Sequence, residues 1–440
     1  MNFLTLTPLW YEVFLMKTVK FYTLGCKVNQ YETQAIREQL QKAGFRELEN
    51  SRPAGICVIN TCTVTHRADR DSYYLIRRAG RENPGARIVV TGCLTEFDGD
   101  KIANIPGVNL IVKNEDKNRI VSLLDNFRKT QNAGSKAQNA ITYFKNHTRA
   151  FLKIQDGCNY RCSYCKVRLV RGKSRSKELS EIEEEVRGLV GNGYREIVLC
   201  GVCLGSYGRD LTPRLTLSGL IRKLERIPGD FRIRLSSIEL GDITDELIGS
   251  LTDSKRLCPH LHIPLQSGDD EILGRMNRQY SSTRFMNLIG RLRSAIPEIA
   301  ITTDVMVGFP GETEKNFRNT VELIKQIQPL RVHMFTYSRR PNTPASDFGE
   351  SIPDAAIKSR MAQLRQIALS IRQAYCQKFI SRIGEVLVER TVSGKPHFWE
   401  GYTRRYIKVR IRSRLDLKNK VIKAKLKKIY QDFVLAEPVK

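Results

Sequence analysis

The sequence predicts an α/β protein in three parts: an N-terminal parallel α/β sheet domain, a central partial (βα)6 barrel and a small C-terminal β-barrel. Three observations predict it. Short β-rich runs alternate with helical stretches across residues 17–128. Strand patterns then recur over 148–377 at intervals of roughly 30 to 40 residues, the length of a βα unit. From 378 to 440 helical periodicity gives way to short alternating runs.

Taken in order, residues 1–16 (MNFLTLTPLWYEVFLM) are apolar but lack a basic leader and a small-residue cleavage site. They read as an extension, with Met16 an alternative start. In the next segment 19–24, 56–60 and 87–91 read as buried strands, and 31–43 and 71–81 as helices. Strand then helix, repeated, implies a parallel sheet covered on both faces. Residues 129–147 are polar and aperiodic and read as a linker. In the central segment the strand candidates are 151–154, 197–202, 231–238, 260–264, 299–307 and 332–337. Between them lie helical patterns such as 180–190, where Ile182, Val186 and Leu189 share a face. Six units give an open barrel, two short of a closed eightfold one. The last segment carries strand candidates at 385–389, 406–411 and 421–426.

The chain has 440 residues, 41% of them hydrophobic, and a formal charge of +27. A core of several domains is affordable, and the basic excess points to a polyanion, nucleic acid first. From Ser381 onward 16 Lys and Arg face 6 Asp and Glu, which suits a module that tracks phosphates. No apolar run reaches the roughly 18 residues that span a bilayer, so no stable membrane association is expected. Eleven cysteines, an odd number without a leader, point to reduced thiols in a cytoplasmic protein and to metal.

Two cysteine sets stand out. Cys158-Asn-Tyr-Arg-Cys162-Ser-Tyr-Cys165 follows the first strand of the barrel. Three thiolates on one tight loop can hold three irons of a 4Fe–4S cluster and leave the fourth open to a small molecule. Structural zinc takes four protein ligands, and no fourth is near in sequence. The second set emerges from the strand pattern. Cys26, Cys62 and Cys93 each lie just past the end of an expected strand, so a parallel sheet could gather them at one edge. Gly25 and Gly92 precede two of them and would let backbone approach closely. Cys57 and Cys200 sit inside apolar runs and read as core.

With both sets in view, the chain resembles the radical-SAM methylthiotransferases from Met16 nearly to its end. Gly25-Cys26-Lys27-Val28-Asn29-Gln30-Tyr31-Glu32-Thr33 and Asn60-Thr61-Cys62-Thr63-Val64-Thr65 are similar to the branch that acts on N6-threonylcarbamoyladenosine at tRNA position 37. Further similar stretches are Leu261-His262-Ile263-Pro264-Leu265-Gln266-Ser267-Gly268 and the run from Thr303 to Thr313. The C-terminal segment resembles a TRAM domain, an RNA-binding β-barrel. The resemblance implies two 4Fe–4S clusters and S-adenosyl-L-methionine. Cys158, Cys162 and Cys165 would ligate the radical-SAM cluster, and Cys26, Cys62 and Cys93 an auxiliary cluster that carries sulfur.

It further implies S-adenosylmethionine contacts at Gly201, Ser237, Glu239, Gln266, Asp304 and Gly308, with no catalytic side chain beyond the cluster ligands. Arg171 and Arg175 are candidates for substrate or for the cofactor carboxylate, or belong to a solvated face. The implied reaction places a methylthio group on carbon 2 of the modified adenine, by way of a 5′-deoxyadenosyl radical. The implied partners are the tRNA anticodon loop, a reductase as electron donor and a sulfur donor. Cys203 stands where the family usually carries asparagine, and a thiol cannot replace both the donor and the acceptor of a carboxamide. The segment 166–172 lacks the family's proline, and Thr336 and Asn342 replace commoner Pro and Gly. Alternatives at this point are a sister enzyme acting on isopentenyladenosine or on a ribosomal protein, and a non-catalytic iron–sulfur or zinc RNA-binding protein. Dinucleotide binding is excluded, because no G-x-G-x-x-G opens a helix in the first segment.

Overall fold

The computed structural model describes residues 17–49, 52–126, 140–349 and 351–439. The extension 1–16 and most of the expected linker lie outside the described residues. The chain forms two compact units. Of the described residues, one unit holds those as far as Ile141 together with Lys166–Gly172, and the other holds Thr142–Cys165 and those from Lys173 on.

The first unit is built on a five-stranded sheet ordered β2-β1-β3-β4-β5. Its strands are β1 (Thr18–Thr23), β2 (Arg46–Glu47), β3 (Ile56–Thr61), β4 (Arg87–Gly92) and β5 (Val108–Val112), and every neighbouring pair is parallel. Alternation along β3 separates two cores. Ile56 and Val58 pack with Ile36 and Leu40 of helix Lys27–Lys42. Cys57 and Ile59 face the other way, onto Ile76 and Ala79 of helix His66–Glu82. The expected strands are present, and β2 and β5 join them. Both helices start earlier than the apolar spacing suggests. The first buries Asn29, Glu32, Thr33 and Gln34, polar residues that periodicity does not count as a buried face. The second opens on Thr65, whose side chain accepts from the Ala68 N–H.

In the second unit all six expected barrel strands form. β6 (Arg149–Lys153), β9 (Glu196–Cys200) and β10 (Arg232–Leu235) make one parallel sheet. β11 (His260–His262), β12 (Ala300–Val307) and β13 (Arg331–Thr336) make another. A parallel bridge between Ser237 and His262 joins them, so six strands run side by side in chain order. The short strands β7 (Gln155–Asp156) and β8 (Arg175–Ser176) pair across the cysteine loop.

The same unit carries a closed five-stranded barrel, β14-β15-β16-β18-β17. Its strands are β14 (Ile383–Val392), β15 (Lys395–Thr403), β16 (Lys408–Arg412), β17 (Val421–Ile429) and β18 (Val434–Pro438). Val386, Val388, Trp399, Val409, Ile411 and Leu426 fill it. A buried charge cluster fastens this barrel to the first sheet. Glu196, fully buried on β9, accepts from Arg232 at 2.5 Å and from Arg234 at 2.6 Å. Those arginines also donate to the backbone oxygens of Tyr402, Thr403 and Arg404. The Arg149 and Arg234 guanidiniums lie over the Tyr406 ring. Among the described residues, no helix is long and apolar enough to cross a membrane.

Candidate iron–sulfur and cofactor sites

In the first unit β1, β3 and β4 are neighbours, and their carboxyl ends deliver one cysteine each. Cys26 caps helix Lys27–Lys42, Cys62 follows β3, and Cys93 follows β4. Cys62 and Cys93 are buried and Cys26 is exposed. Two glycines are required here. Gly25 has φ +102°, and a Cβ on it would lie 3.2 Å from the Cys62 sulfur. Gly92 also has φ +102°, and a Cβ would lie 2.3 Å from the Thr61 carbonyl oxygen. Asn29 ties the edge together by donating to the carbonyls of Leu24 and Thr61. Ser72 accepts from the Cys62 N–H and donates back to its carbonyl.

Burial pushes the Cys62 thiol up to about 11, with Cys93 and Cys26 adding to the shift. Burial raises the Cys93 thiol as well, and Arg171 opposes it. Arg171 is the side chain that sequence reasoning misplaced. It is 2% exposed, donates from Nε to the Cys93 sulfur at 3.3 Å, and pairs with Glu32 at 2.9 Å. It also donates to the Asn29 amide oxygen at 2.5 Å. Lys117 reaches the other oxygen of Glu32 at 2.5 Å. Thus two buried cations share one carboxylate beside Cys93. A solvated face does not describe this residue.

In the second unit Cys158, Cys162 and Cys165 lie on the loop after β7, with the Cys165 N–H bonded to the Cys162 carbonyl. A bond from Cys203 lowers the Cys158 thiol. Burial raises the Cys162 thiol, against Arg278, which donates to its sulfur at 3.2 Å. Each set of three cysteines therefore has one sulfur that accepts from a buried arginine. Gln155 braces the loop: its amide nitrogen donates to the carbonyls of Asp156 and Gly157, and its oxygen accepts from the Cys203 N–H. Among the described residues no three His, Cys, Asp or Glu side chains converge on a single ion. A four-iron cluster takes one thiolate per iron, so its ligands need not meet at a point.

Of the six expected cofactor contacts, Gly201, Ser237, Glu239, Gln266 and Gly308 follow strand ends and Asp304 lies within β12. Gln266 is strained, with φ +68°, and its buried amide oxygen has no partner among the described residues. Ser236, beside Ser237, likewise keeps a buried hydroxyl without a partner. Unpaired buried acceptors at a strand edge fit a ligand that brings donors. Glu239 pairs with Arg278, and Asp304 with His262 at 3.2 Å. Gly201 has no room for a Cβ, which would lie 2.7 Å from the Gln155 amide oxygen. Gly308 has φ +79° and is packed on Ile357. Sequence reasoning missed Arg278 and Ser236. Arg278 lies among polar residues after a helix, and nothing local in its sequence marks it as buried.

Comparison with known proteins decides the family. Residues 152–324 match the Radical SAM superfamily, and residues 18–113 match a family described as Uncharacterized protein family UPF0004. A Thermotoga maritima protein named Threonylcarbamoyladenosine tRNA methylthiotransferase MtaB is 38% identical over 400 residues, 89% of this chain and 91% of its own. The chain belongs to the radical-SAM methylthiotransferases. A second member, the tRNA-2-methylthio-N(6)-dimethylallyladenosine synthase of Clostridium tetani, is 34% identical and spans 83% of this chain and 84% of its own. A solved radical S-adenosylmethionine methyltransferase, TsrM from Kitasatospora setae, aligns with TM-score 0.55 at 14% identity. It covers 75% of this chain and 77% of that one, and its likeness is one of fold.

For this methylthiotransferase, the departure at Cys203 has a local explanation. Its sulfur lies 3.0 Å from the Ser206 hydroxyl and 3.5 Å from Asp242, so the thiol is held by side chains that a carboxamide could also use. Nothing in the structure explains Thr336 or Asn342.

Proposed function

We propose that this chain inserts a methylthio group at carbon 2 of N6-threonylcarbamoyladenosine at position 37 of tRNA, in the cytoplasm. The observation that carries the reading is the meeting of Cys26, Cys62 and Cys93 at the ends of three adjacent strands, in a chain that holds a second three-cysteine loop. Cys26, Cys62 and Cys93 would hold an auxiliary 4Fe–4S cluster, and Cys158, Cys162 and Cys165 a second. S-adenosylmethionine would lie at Gly201, Ser237, Gln266 and Gly308. Glu239 and Asp304 would act there through Arg278 and His262. When bound, these groups supply one-electron chemistry, sulfur and methyl.

The protein's own part is arrangement. Arg171 and Arg278 would place positive charge and an N–H beside one thiolate of each cluster, which opposes the cost of burying anionic sulfur. Gly25, Gly92 and Gly201 keep Cβ atoms out of the ligand space. Gln266 and Ser236 offer acceptors to the cofactor. The C-terminal barrel, a TRAM-like module, would hold phosphates of the anticodon loop, and the target base would leave its stack to reach the strand edge. A reductase and a sulfur donor complete the cycle.

A second reading, action on dimethylallyladenosine, is favoured by the 34% identity to the Clostridium tetani protein. Anaerobically reconstituted protein offered tRNA carrying either nucleoside separates the two. Methylthiolation of the threonylcarbamoyl form alone is expected. Product only from the dimethylallyl form overturns the substrate assignment.

A further inference from the structure

Helix His66–Glu82 begins four residues after Cys62, at the same sheet edge as the cysteines. Its inner face, Ser72, Ile76 and Ala79, is buried. On the opposite side His66, Arg70, Tyr74, Arg77 and Arg81 are all exposed. They are spaced four, four, three and four residues apart, so they form one straight stripe on the helix. The stripe contains no acid. The helix's acids lie off it: Asp71 pairs with Arg67, Glu82 pairs with Arg78, and Asp69 accepts from Thr63.

Among the described residues, Arg70, Arg77 and Arg81 have no carboxylate partner. Tyr74, 57% exposed, stands between Arg70 and Arg77. The arginines rim a shallow groove floored by Tyr73 and Ile105. The carboxylate that lines this groove, Asp98, is already taken by the Tyr73 hydroxyl at 2.9 Å and by Lys101 at 3.1 Å.

We infer that this stripe is a second RNA-contact surface, on which the phosphodiester backbone of the tRNA substrate runs away from the cysteine edge. The inference rests on the tRNA reading above. From Arg70 to Arg81 the helix rises about 16 Å. Three guanidiniums without a carboxylate partner, Arg77 lying over the Tyr73 ring, present forked donors that match phosphate oxygens, and an exposed aromatic among them gives a base or ribose a face to stack on. A stripe evolved only for solubility would interleave both signs, as the flanks of this helix do.

The test is the salt dependence of tRNA binding by the full chain. Each phosphate contact contributes about 0.7 to the slope of log affinity against log salt for single-stranded nucleic acid. Arg70→Gln/Arg77→Gln/Arg81→Gln should therefore flatten the slope by about 2 while iron content stays at the wild-type level. The control Arg67→Gln/Arg78→Gln removes the same kind of charge from outside the stripe and should leave the slope near wild type. Equal flattening in both variants means general charge and overturns the stripe. An unchanged slope in the triple variant, with wild-type protein binding tRNA, overturns it too and leaves the tRNA reading standing. Absence of tRNA binding by the wild type overturns both.

Discussion

The charge cluster beside Cys93 yields a sharp prediction. Glu32 is 5% exposed and is shared by Arg171 at 2.9 Å and Lys117 at 2.5 Å. At an effective dielectric near 20, two unit charges about 4 Å apart attract by about 4 kcal/mol. Glu32→Gln removes both attractions and leaves two buried cations without their shared carboxylate. Breaking a buried pair in this way costs about 3–5 kcal/mol. Arg171→Met leaves Glu32 still paired with Lys117, so its cost is that of lost charged hydrogen bonds, about 2 kcal/mol. The double variant retains a single unpaired cation and should cost less than the two single losses together, by about 1–3 kcal/mol.

The assay is hydrogen exchange on helix Lys27–Lys42, which reads local opening of this unit. Glu32→Gln should accelerate exchange there by about three orders of magnitude, and Arg171→Met by one to two. Equal effects of the two single variants, or strict additivity in the double, would refute the shared-carboxylate account.

Four further outcomes follow from the structure. Gly92→Ala forces a Cβ to within 2.3 Å of the Thr61 carbonyl, so it should destabilise the first unit by well over 1 kcal/mol. Gly80→Ala on helix His66–Glu82, where an added Cβ would meet nothing within 4 Å, should stabilise by about 0.5–1 kcal/mol in a parallel exchange experiment. Burial raises the Glu196 carboxyl, but Arg234 and Arg232 more than offset this and hold it below its ordinary value of 4.5. Its stabilisation is therefore complete above that value and is lost as pH falls below it. Fluorescence of Trp399, buried in the C-terminal barrel, should report loosening that begins below about pH 4.5 and is absent in Glu196→Gln. Replacing either cysteine triplet by alanine should lower bound iron from about eight to about four per chain, read by colorimetric iron assay.

Much of this was legible in the sequence, for identifiable reasons. Strands such as Ile56–Thr61 are buried on both faces, so they read as continuous apolar runs and stand out. The cysteines could be placed together because a parallel sheet puts all its carboxyl ends on one edge. Strand β5 was missed, since its Val108–Val112 run is only half-buried and broken by an exposed Asn109. Helix starts were missed where buried polar residues replaced apolar ones. Arg171 and Arg278 were beyond reach, because burial of an arginine depends on a carboxylate distant in sequence, Glu32 in one case and Glu239 in the other. Local pattern carries no trace of such a partner.

The central claim is the reaction, and mass spectrometry of tRNA nucleosides from cells with and without this gene tests it most directly. The account predicts a 2-methylthio-N6-threonylcarbamoyladenosine signal that disappears with the gene and returns with the wild-type chain but not with Cys62→Ala. Loss of the 2-methylthio dimethylallyl derivative instead would contradict the substrate, and an unchanged nucleoside profile would contradict the tRNA reading itself.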